Sequence, residues 1–142
     1  MQKKILFLSY NFPPELSAGA TRSISLIKEL AKINNEKKIY VFCSSPNRYG
    51  KLINEKNSTI DSDLYFFENI FVKRFYVPYL GPGITGLSIS YLFYFFQVIF
   101  AGLILQPNII IATSAKLMTG FTGALIAFLI RKKFYLDIRD TF

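Results

Sequence analysis

The chain has 142 residues, a formal net charge of +8, 51% hydrophobic residues, one cysteine and no histidine. This length is typical of one domain with a core of useful size. A lone cysteine excludes a disulfide framework, and the lack of histidine excludes a Cys/His zinc cluster, so we expect a cytosol-facing chain. We predict that Cys43 is a small buried apolar residue at the end of a strand.

The charged residues stand apart from the apolar ones. No charged residue occurs from Phe75 to Ala115, whereas Lys73 and Arg74 precede this stretch and Lys116 follows it. A nucleic-acid interface interleaves cations with exposed polar residues over a broad face, and this pattern does not. Cations at the borders of apolar segments favour an anionic lipid surface instead. The N-terminal MQKKILFLSYNF holds a short apolar run without a small-residue cleavage site, so we do not expect a signal peptide.

Apolar runs alternate with helical patterns along the chain, which predicts a Rossmann-like α/β domain built on a parallel sheet. The first strand, helix and strand form a βαβ unit, which implies a right-handed crossover. Residues 44–63 are polar and predict a loop, and DLYFFENIFVKRFYVP after them predicts a hairpin or a third strand with a turn. The other predicted strands are Lys4–Tyr10, Lys38–Cys43, Ile109–Ala112 and Phe134–Ile138, and the predicted helices are Ala20–Ile33, Ile84–Leu105 and Leu117–Ile130.

The uncharged run ITGLSISYLFYFFQVIFAGLIL, residues 84–105, is long enough to cross a bilayer, because as a helix it measures about 33 Å. A single crossing would place the two halves of one parallel sheet on opposite sides of the membrane. We therefore expect a helix in the membrane interface or a re-entrant hairpin of two short segments. A true span and a helix buried by protein are the alternatives. The next run, 117–130, is too short to span, and Gly120 and Gly123 predict close packing on the sheet.

The stretch SYNFPPELSAGATRS connects the first strand to the first helix, where ligands of open parallel sheets bind. Gly19 lets the backbone approach a ligand closely, and the first helix turn attracts an anion. Arg22 offers a charge-assisted hydrogen bond to a phosphate. The stretch is neither a G-x-G-x-x-G loop nor a P-loop. The alternative is a proline-stiffened turn in which Thr21 caps the helix and Arg22 is solvated.

KILFLSYNFPPELSAGATRSISLIKELAK resembles the opening of the N-terminal domain of GT-B-type glycosyltransferases of the family 4-like group. More narrowly, it is similar to the transferases, L-fucosamine transferases among them, that add sugars to lipid-linked precursors of bacterial surface polysaccharides. CSSPNRYG resembles the P-N-Y-P-x-G loop of that group, with arginine at the third position. QPNIIIATSAKLMTGFTGALIA resembles its fourth strand and the following helix, and FYLDIRDTF resembles its D-[VI]-R-D ending. The four matches occur in the expected order.

The resemblance implies that residues 1–142 form the acceptor-side half of a transferase. The implied reaction moves a sugar from a nucleotide sugar to a polyprenyl-diphosphate-linked glycan, in O-antigen or capsule synthesis. The implied place is the cytoplasmic face of the bacterial inner membrane, with a peripheral or monotopic attachment. No metal or cofactor is implied, since helix dipoles and basic residues handle the phosphate charge. The implied substrate-binding residues are Ser17, Ala18, Gly19, Ala20, Arg22, Asn47 and Ser114.

The sequence after the fifth strand supplies the implied catalytic residues. An extended chain places Asp137 and Arg139 on one face and Asp140 on the other. One interpretation is an ion pair of Asp137 with Arg139, with Asp140 capping a helix. In a sugar transfer, Asp140 would instead be the base for the acceptor hydroxyl and Arg139 would orient a phosphate.

The family's second Rossmann domain, with its E-x7-E motif, has no counterpart in the 142 residues. We therefore expect the chain alone to be inactive and to require a C-terminal glycosyltransferase domain or subunit. The alternatives are a truncated remnant and a non-catalytic subunit that recruits a separate transferase to the membrane.

Overall fold

Five strands and three helices alternate along the residues that our computed structural model describes, which are 3–13, 18–45, 67–81, 83–114 and 116–138, with 18 and 19 as backbone only. The strands are β1 (Lys4–Leu8), β2 (Lys38–Ser44), β3 (Ile70–Phe75), β4 (Ile109–Thr113) and β5 (Lys133–Asp137). The helices are α1 (Ala18–Ile33), α2 (Ile84–Leu105) and α3 (Leu117–Ile130).

All strand pairs are parallel, and the strand order is β3-β2-β1-β4-β5. The central strand β1 pairs on one side with β2, Leu6 opposite Tyr40, and on the other with β4, Leu6 opposite Ile110. The chain order therefore reverses between β1 and β4. This α/β architecture with a five-stranded parallel sheet is Rossmann-like, as predicted.

The sheet separates two apolar cores because neighbouring side chains of a strand point to opposite faces. Ile5 and Phe7 of β1 pack with Ile27 and Ala31 of α1. Leu6 and Leu8 belong to a second core that includes Tyr94 of α2 and Ile126 of α3. Helix α1 thus covers one face of the sheet, and α2 and α3 together cover the other.

Helix α2 is one unbroken helix of 22 residues, so the re-entrant hairpin, one of the two forms we expected, is not formed. Its length and composition would allow it to cross a membrane. It instead lies along the sheet, with every fourth residue buried. Only 28% of its most apolar 18 residues is buried, so the alternative of a helix enclosed by protein is also wrong. The buried positions are Gly86, Ser90, Tyr91, Tyr94, Val98 and Gly102.

The polar groups on the buried side of α2 are hydrogen-bonded to the rest of the domain. The Tyr94 hydroxyl donates to the Phe42 carbonyl oxygen at 3.1 Å, and the Tyr91 hydroxyl lies 2.8 Å from Thr122 Oγ1 of α3. Ser90 Oγ donates to the Pro78 carbonyl oxygen at 2.6 Å. Burial raises the pKa of both tyrosines, which keeps their hydroxyls protonated. These bonds fix α2 to β2, to α3 and to the segment before it.

Helix α3 packs as closely on the sheet as its glycines predicted. A Cβ on Gly123 would lie 2.7 Å from Cε2 of Phe134 and 3.1 Å from Cβ of Ala112. A Cβ on Gly120 would lie 2.9 Å from a methyl carbon of Leu136. Both glycines therefore allow an approach that a larger residue would prevent.

The predicted ends differ from the observed ones at a few elements. Strand β1 ends at Leu8 rather than Tyr10, because Ser9 Oγ donates to the Asn11 carbonyl oxygen and turns the chain. The run after Asn69 is a third strand, parallel to β2, and a turn at Glu68 and Asn69 precedes it. The first half of the predicted hairpin and most of the predicted 44–63 loop lie outside the described residues.

We predict that Gly86→Ala destabilises the domain, although alanine favours helices by about 1 kcal/mol over glycine. The added Cβ would lie 2.5 Å from the Leu80 carbonyl oxygen and 3.0 Å from that of Gly81, which are backbone atoms that cannot move aside. We expect a net loss of about 1–2 kcal/mol in the free energy of unfolding, measured by urea titration. Gly83→Ala is the control, because its Cβ would meet nothing within 4 Å. A gain in stability for Gly86→Ala would contradict the packing of α2.

Candidate functional site

Three polar residues stand side by side where β1, β4 and β5 end. Leu8 pairs with Ala112 and Thr113 pairs with Asp137, so that Ser9, Thr113 and Asp137 follow one another across three adjacent strands. Ser9 and Thr113 are fully buried. The row crosses the point between β1 and β4 where the chain order reverses. Open α/β sheets bind their ligands in the crevice at this point.

The beginning of α1 lies over this row and is fixed to it at two places. Ser23 Oγ lies 3.0 Å from Ser9 Oγ, with both residues buried. Arg22 Nη2 donates to Asp137 Oδ1 at 2.8 Å. The Arg22 side chain is 54% exposed and that of Asp137 is 18% exposed, so the cation lies on the solvent side of the pair.

The ion pair changes the interpretation of the two charged residues. Arg22 is not simply solvated, because it pairs with Asp137, which lies 115 positions away along the chain. The pair of Asp137 with Arg139 that the sequence suggested stays a prediction, since Arg139 lies outside the described residues. The bond uses one nitrogen of a guanidinium that has five N–H donors. Arg22 can therefore hold Asp137 and still reach an anion on its exposed side.

The small residues before Arg22 belong to the helix and not to a loop. Ala18, Gly19 and Ala20 form the first turn of α1, and Ala20 is buried. Thr21 follows within the same helix, so its predicted role as the helix cap is wrong. The first turn of a helix offers backbone N–H groups that have no acceptor within the helix, and its dipole favours negative charge.

Ser114 and Arg22 both hydrogen-bond to Asp137. The backbone N–H of Ser114 donates to the Asp137 carbonyl oxygen at 2.9 Å, at the end of β4. The remaining predicted site residues, Ser17, Asn47, Arg139 and Asp140, lie outside the described residues.

Sequence reasoning missed three buried hydroxyl residues, Ser9 and Thr113 of the row and Ser23 of α1. Thr113 Oγ1 makes no hydrogen bond within the part of the chain that the structure describes. The available signal was a hydroxyl residue directly after each apolar run, in FLS and IIIAT.

Two further cations flank the connection between β1 and α1. Lys116 Nζ lies 3.8 Å from the centre of the Tyr10 ring, and Tyr10 stacks on Tyr91 of α2 at 5.6 Å. Arg74 Nη2 donates to the Pro13 carbonyl oxygen at 2.7 Å, and the guanidinium lies 6.0 Å from the centre of the Phe12 ring. Arg74, which we expected at a lipid surface, stabilises this connection. Three cations thus surround one edge of the sheet.

Cys43 is buried at the end of β2, as predicted. Among the described residues, no group of three or more aspartate, glutamate, cysteine or histidine side chains is placed to hold a metal ion. The site is therefore characterised by hydroxyls, backbone N–H groups and cations, with Asp137 as its one described carboxylate.

No protein-family model and no curated protein matches the chain. The family resemblance thus stays a prediction from the motifs.

We predict a coupling energy of about 0.5–1 kcal/mol between Arg22 and Asp137, because half of the arginine is exposed to solvent. A double-mutant cycle of Arg22→Gln and Asp137→Asn, followed by urea unfolding, measures it. The coupling should fall in 1 M NaCl, where surface charges are screened. The pair Glu29–Lys32 is the control, since both side chains are more than half exposed and should couple more weakly. Additive effects of the two changes would show that the pair does not hold α1 to β5.

Proposed function

We propose that the chain is the acceptor-side Rossmann-like domain of a GT-B-type glycosyltransferase of the family 4-like group. It would transfer a sugar from a nucleotide sugar to a polyprenyl-diphosphate-linked glycan of a bacterial surface polysaccharide. The observation that supports this best is the contact between an anion-attracting site and an exposed apolar helix. Tyr10 connects them, because its ring contacts both Lys116 and Tyr91 of α2.

Both proposed substrates carry a diphosphate, and the carboxyl edge of the sheet has the groups that bind one. Arg22 and Lys116 supply positive charge, and the first turn of α1 supplies its dipole. A lipid-linked acceptor keeps its diphosphate at the level of the lipid headgroups. A site beside an apolar helix is suited to such a ligand, whose two ends differ in polarity.

The proposed chemistry needs a base and a means to stabilise the departing phosphate. In our proposal, the Asp140 carboxylate takes the proton of the acceptor hydroxyl as its oxygen attacks the anomeric carbon, and the nucleotide diphosphate departs with the electron pair of the broken bond. Arg139 would stabilise the charge on that phosphate. The pair of Asp137 with Arg22 fixes the end of β5, from which both residues follow.

The remaining parts of the proposal follow the resemblance. We propose no metal and no cofactor beyond the nucleotide sugar, a second domain or subunit that holds most of the donor, and a location at the cytoplasmic face of the inner membrane. The exposed apolar side of α2 also favours one alternative, a non-catalytic subunit that recruits a separate donor-binding subunit to the membrane.

We predict that Arg22→Gln weakens the binding of undecaprenyl diphosphate in detergent micelles about tenfold, since a charge-assisted bond to phosphate is lost. Lys32→Gln is the matched control, because it removes one exposed cation from the other end of the same helix. Binding is measured with radiolabelled lipid and the purified chain. Equal losses for the two variants, or none for Arg22→Gln, would contradict the placement of the diphosphate at α1.

The transferase and the recruiting subunit differ in where the donor-binding domain is encoded. A second Rossmann domain in the DNA after the codon of Phe142, in frame or in a shifted frame, supports a fragment of a longer enzyme or a truncated remnant of one. A separate adjacent gene for such a domain supports a split pair, which sugar transfer by the two co-expressed proteins would then establish. If no donor-binding domain restores transfer in any combination, the sugar-transfer proposal is wrong.

A further inference from the structure

Helices α2 and α3 both bury several small or polar residues and expose most of their larger apolar ones. Gly86, Ser90 and Gly102 of α2 are buried, together with Tyr91, Tyr94 and Val98, whereas its phenylalanines 93, 96 and 100 are between 51% and 69% exposed. In α3 the buried residues include Thr119, Gly120, Thr122 and Gly123, whereas Phe121, Phe128 and Leu129 are exposed. A surface helix in water has the opposite arrangement, with its apolar stripe turned to the core.

The exposed sides of the two helices form one continuous layer. The rings of Phe95 in α2 and Phe121 in α3 stack at 6.2 Å, and beneath them the buried Gly102 allows the two helices to pack closely, since a Cβ there would lie 2.9 Å from the Ile126 side chain. Contiguous exposed apolar surface of this kind marks an interaction site. We call this surface, formed by the outer sides of α2 and α3, the apolar layer.

The segment of the chain that contains both helices has charges of one sign. Between Glu68 and Asp137 the chain has six cations and no acidic residue: Lys73, Arg74, Lys116, Arg131, Lys132 and Lys133. Lys73 and Lys116 lie near the carboxyl edge of the sheet, and the last three lie at its amino edge, between α3 and β5. Cations thus lie at both edges of the sheet, and with the chain's net charge of +8 they complement an anionic surface.

A groove at the end of α3 joins the two properties. It has a volume of about 580 Å³, and Phe128 and Leu129 line it together with Arg131 and Lys132. A lipid presents the same sequence of groups, an acyl chain followed by an anionic headgroup. The groove therefore offers an apolar surface for the acyl chain and cations for the headgroup at one place.

We infer that α2 and α3 dock together on an anionic lipid bilayer, with both helix axes in the plane of the membrane and cations at both edges of the sheet on the headgroups. The inference adds α3 and the amino-edge cations to the membrane contact that the sequence predicted for α2 alone. It does not depend on whether the carboxyl-edge site transfers sugar. A second copy of the chain is a poorer occupant, because it would bring the same unbalanced cations. A spanning α2 would have to break the bonds of Tyr91 and Tyr94 and uncover one face of the sheet.

The chain has no tryptophan, so single-tryptophan variants report on one position each. Phe96→Trp probes the middle of α2, and Phe128→Trp probes the end of α3. Ile33→Trp at the end of α1, which is 78% exposed and belongs to the helix on the other face of the sheet, is the control. The full chain is mixed with vesicles of phosphatidylcholine and phosphatidylglycerol that contain brominated lipids of known depth.

Flat docking predicts that the fluorescence of the Phe96→Trp and Phe128→Trp variants is quenched at similar shallow depths, within about 10 Å of the headgroup boundary. The fluorescence of the Ile33→Trp variant should not be quenched. Quenching of Phe96→Trp at the bilayer centre without quenching of Phe128→Trp would overturn the inference in favour of a span. Quenching of neither variant, together with a dimer in sedimentation, would overturn it in favour of a second copy.

The charges are tested by the double variant Arg131→Gln/Lys132→Gln. We expect its binding to vesicles with phosphatidylglycerol to be weaker by about tenfold or more, and its binding to pure phosphatidylcholine to be unchanged. Lys28→Gln/Lys32→Gln, with the same loss of charge on α1, should bind as the unaltered chain does. Equal losses for both double variants, or unchanged binding of the first, would overturn the role of the amino-edge cations. Circular dichroism checks that every variant is folded.

Discussion

The pairing of β1 with both β2 and β4 is the constraint on which the other features depend. Because β4 lies beside β1, the chain must return from the edge strand β3 to the far side of the sheet, and α2 makes this return. Both ends of α2 therefore stay within one sheet. The same pairing places Ser9 next to Thr113, and the reversal of chain order between their strands opens the crevice that α1 begins above. One set of backbone hydrogen bonds thus decides the course of the apolar helix and the position of the polar row.

The burial on the α2 side follows from the space that this sheet leaves. Gly123 allows α3 to approach the strands closely, beside Ala112. Each of the two helices buries one side, on which Tyr94, Val98 and Ile126 pack in the core, and its other large apolar side chains point outward. Buried hydroxyls require partners, and Tyr94 finds one in the Phe42 carbonyl oxygen while Tyr91 finds one in Thr122. The face of the sheet that α2 and α3 cover is therefore stabilised by close packing and by hydrogen bonds between buried groups, although these two helices are the most apolar ones.

Much of the fold was predictable from sequence, and the failures have physical reasons. The ends of α2 and α3 were predicted to the residue, because an uncharged run bounded by Gly83 and Gln106 or by Lys116 and Arg131 allows few alternatives. Which side of these helices is buried was not predictable, since both are apolar all round and their periodicity carries no direction. The start of α1 was missed because small residues after two prolines are typical of a loop as well as of a first helix turn. An ion pair across 115 positions leaves no local pattern at all.

Tyr10 links the proposed anion site to the apolar layer, which would allow both to contact one ligand. Its ring contacts both Lys116 and Tyr91, so a cation of the carboxyl edge and the buried side of α2 are two contacts apart. A movement of α2 relative to the sheet would shift the Tyr10 ring, and the shift of the ring would change the position of the Lys116 charge. Docking of the layer on a membrane would therefore also hold that charge at headgroup depth, where a diphosphate on a lipid anchor is found. The two proposals remain separable, because the layer needs no sugar site in order to dock. The site, in contrast, would meet a lipid-linked acceptor only on a docked domain.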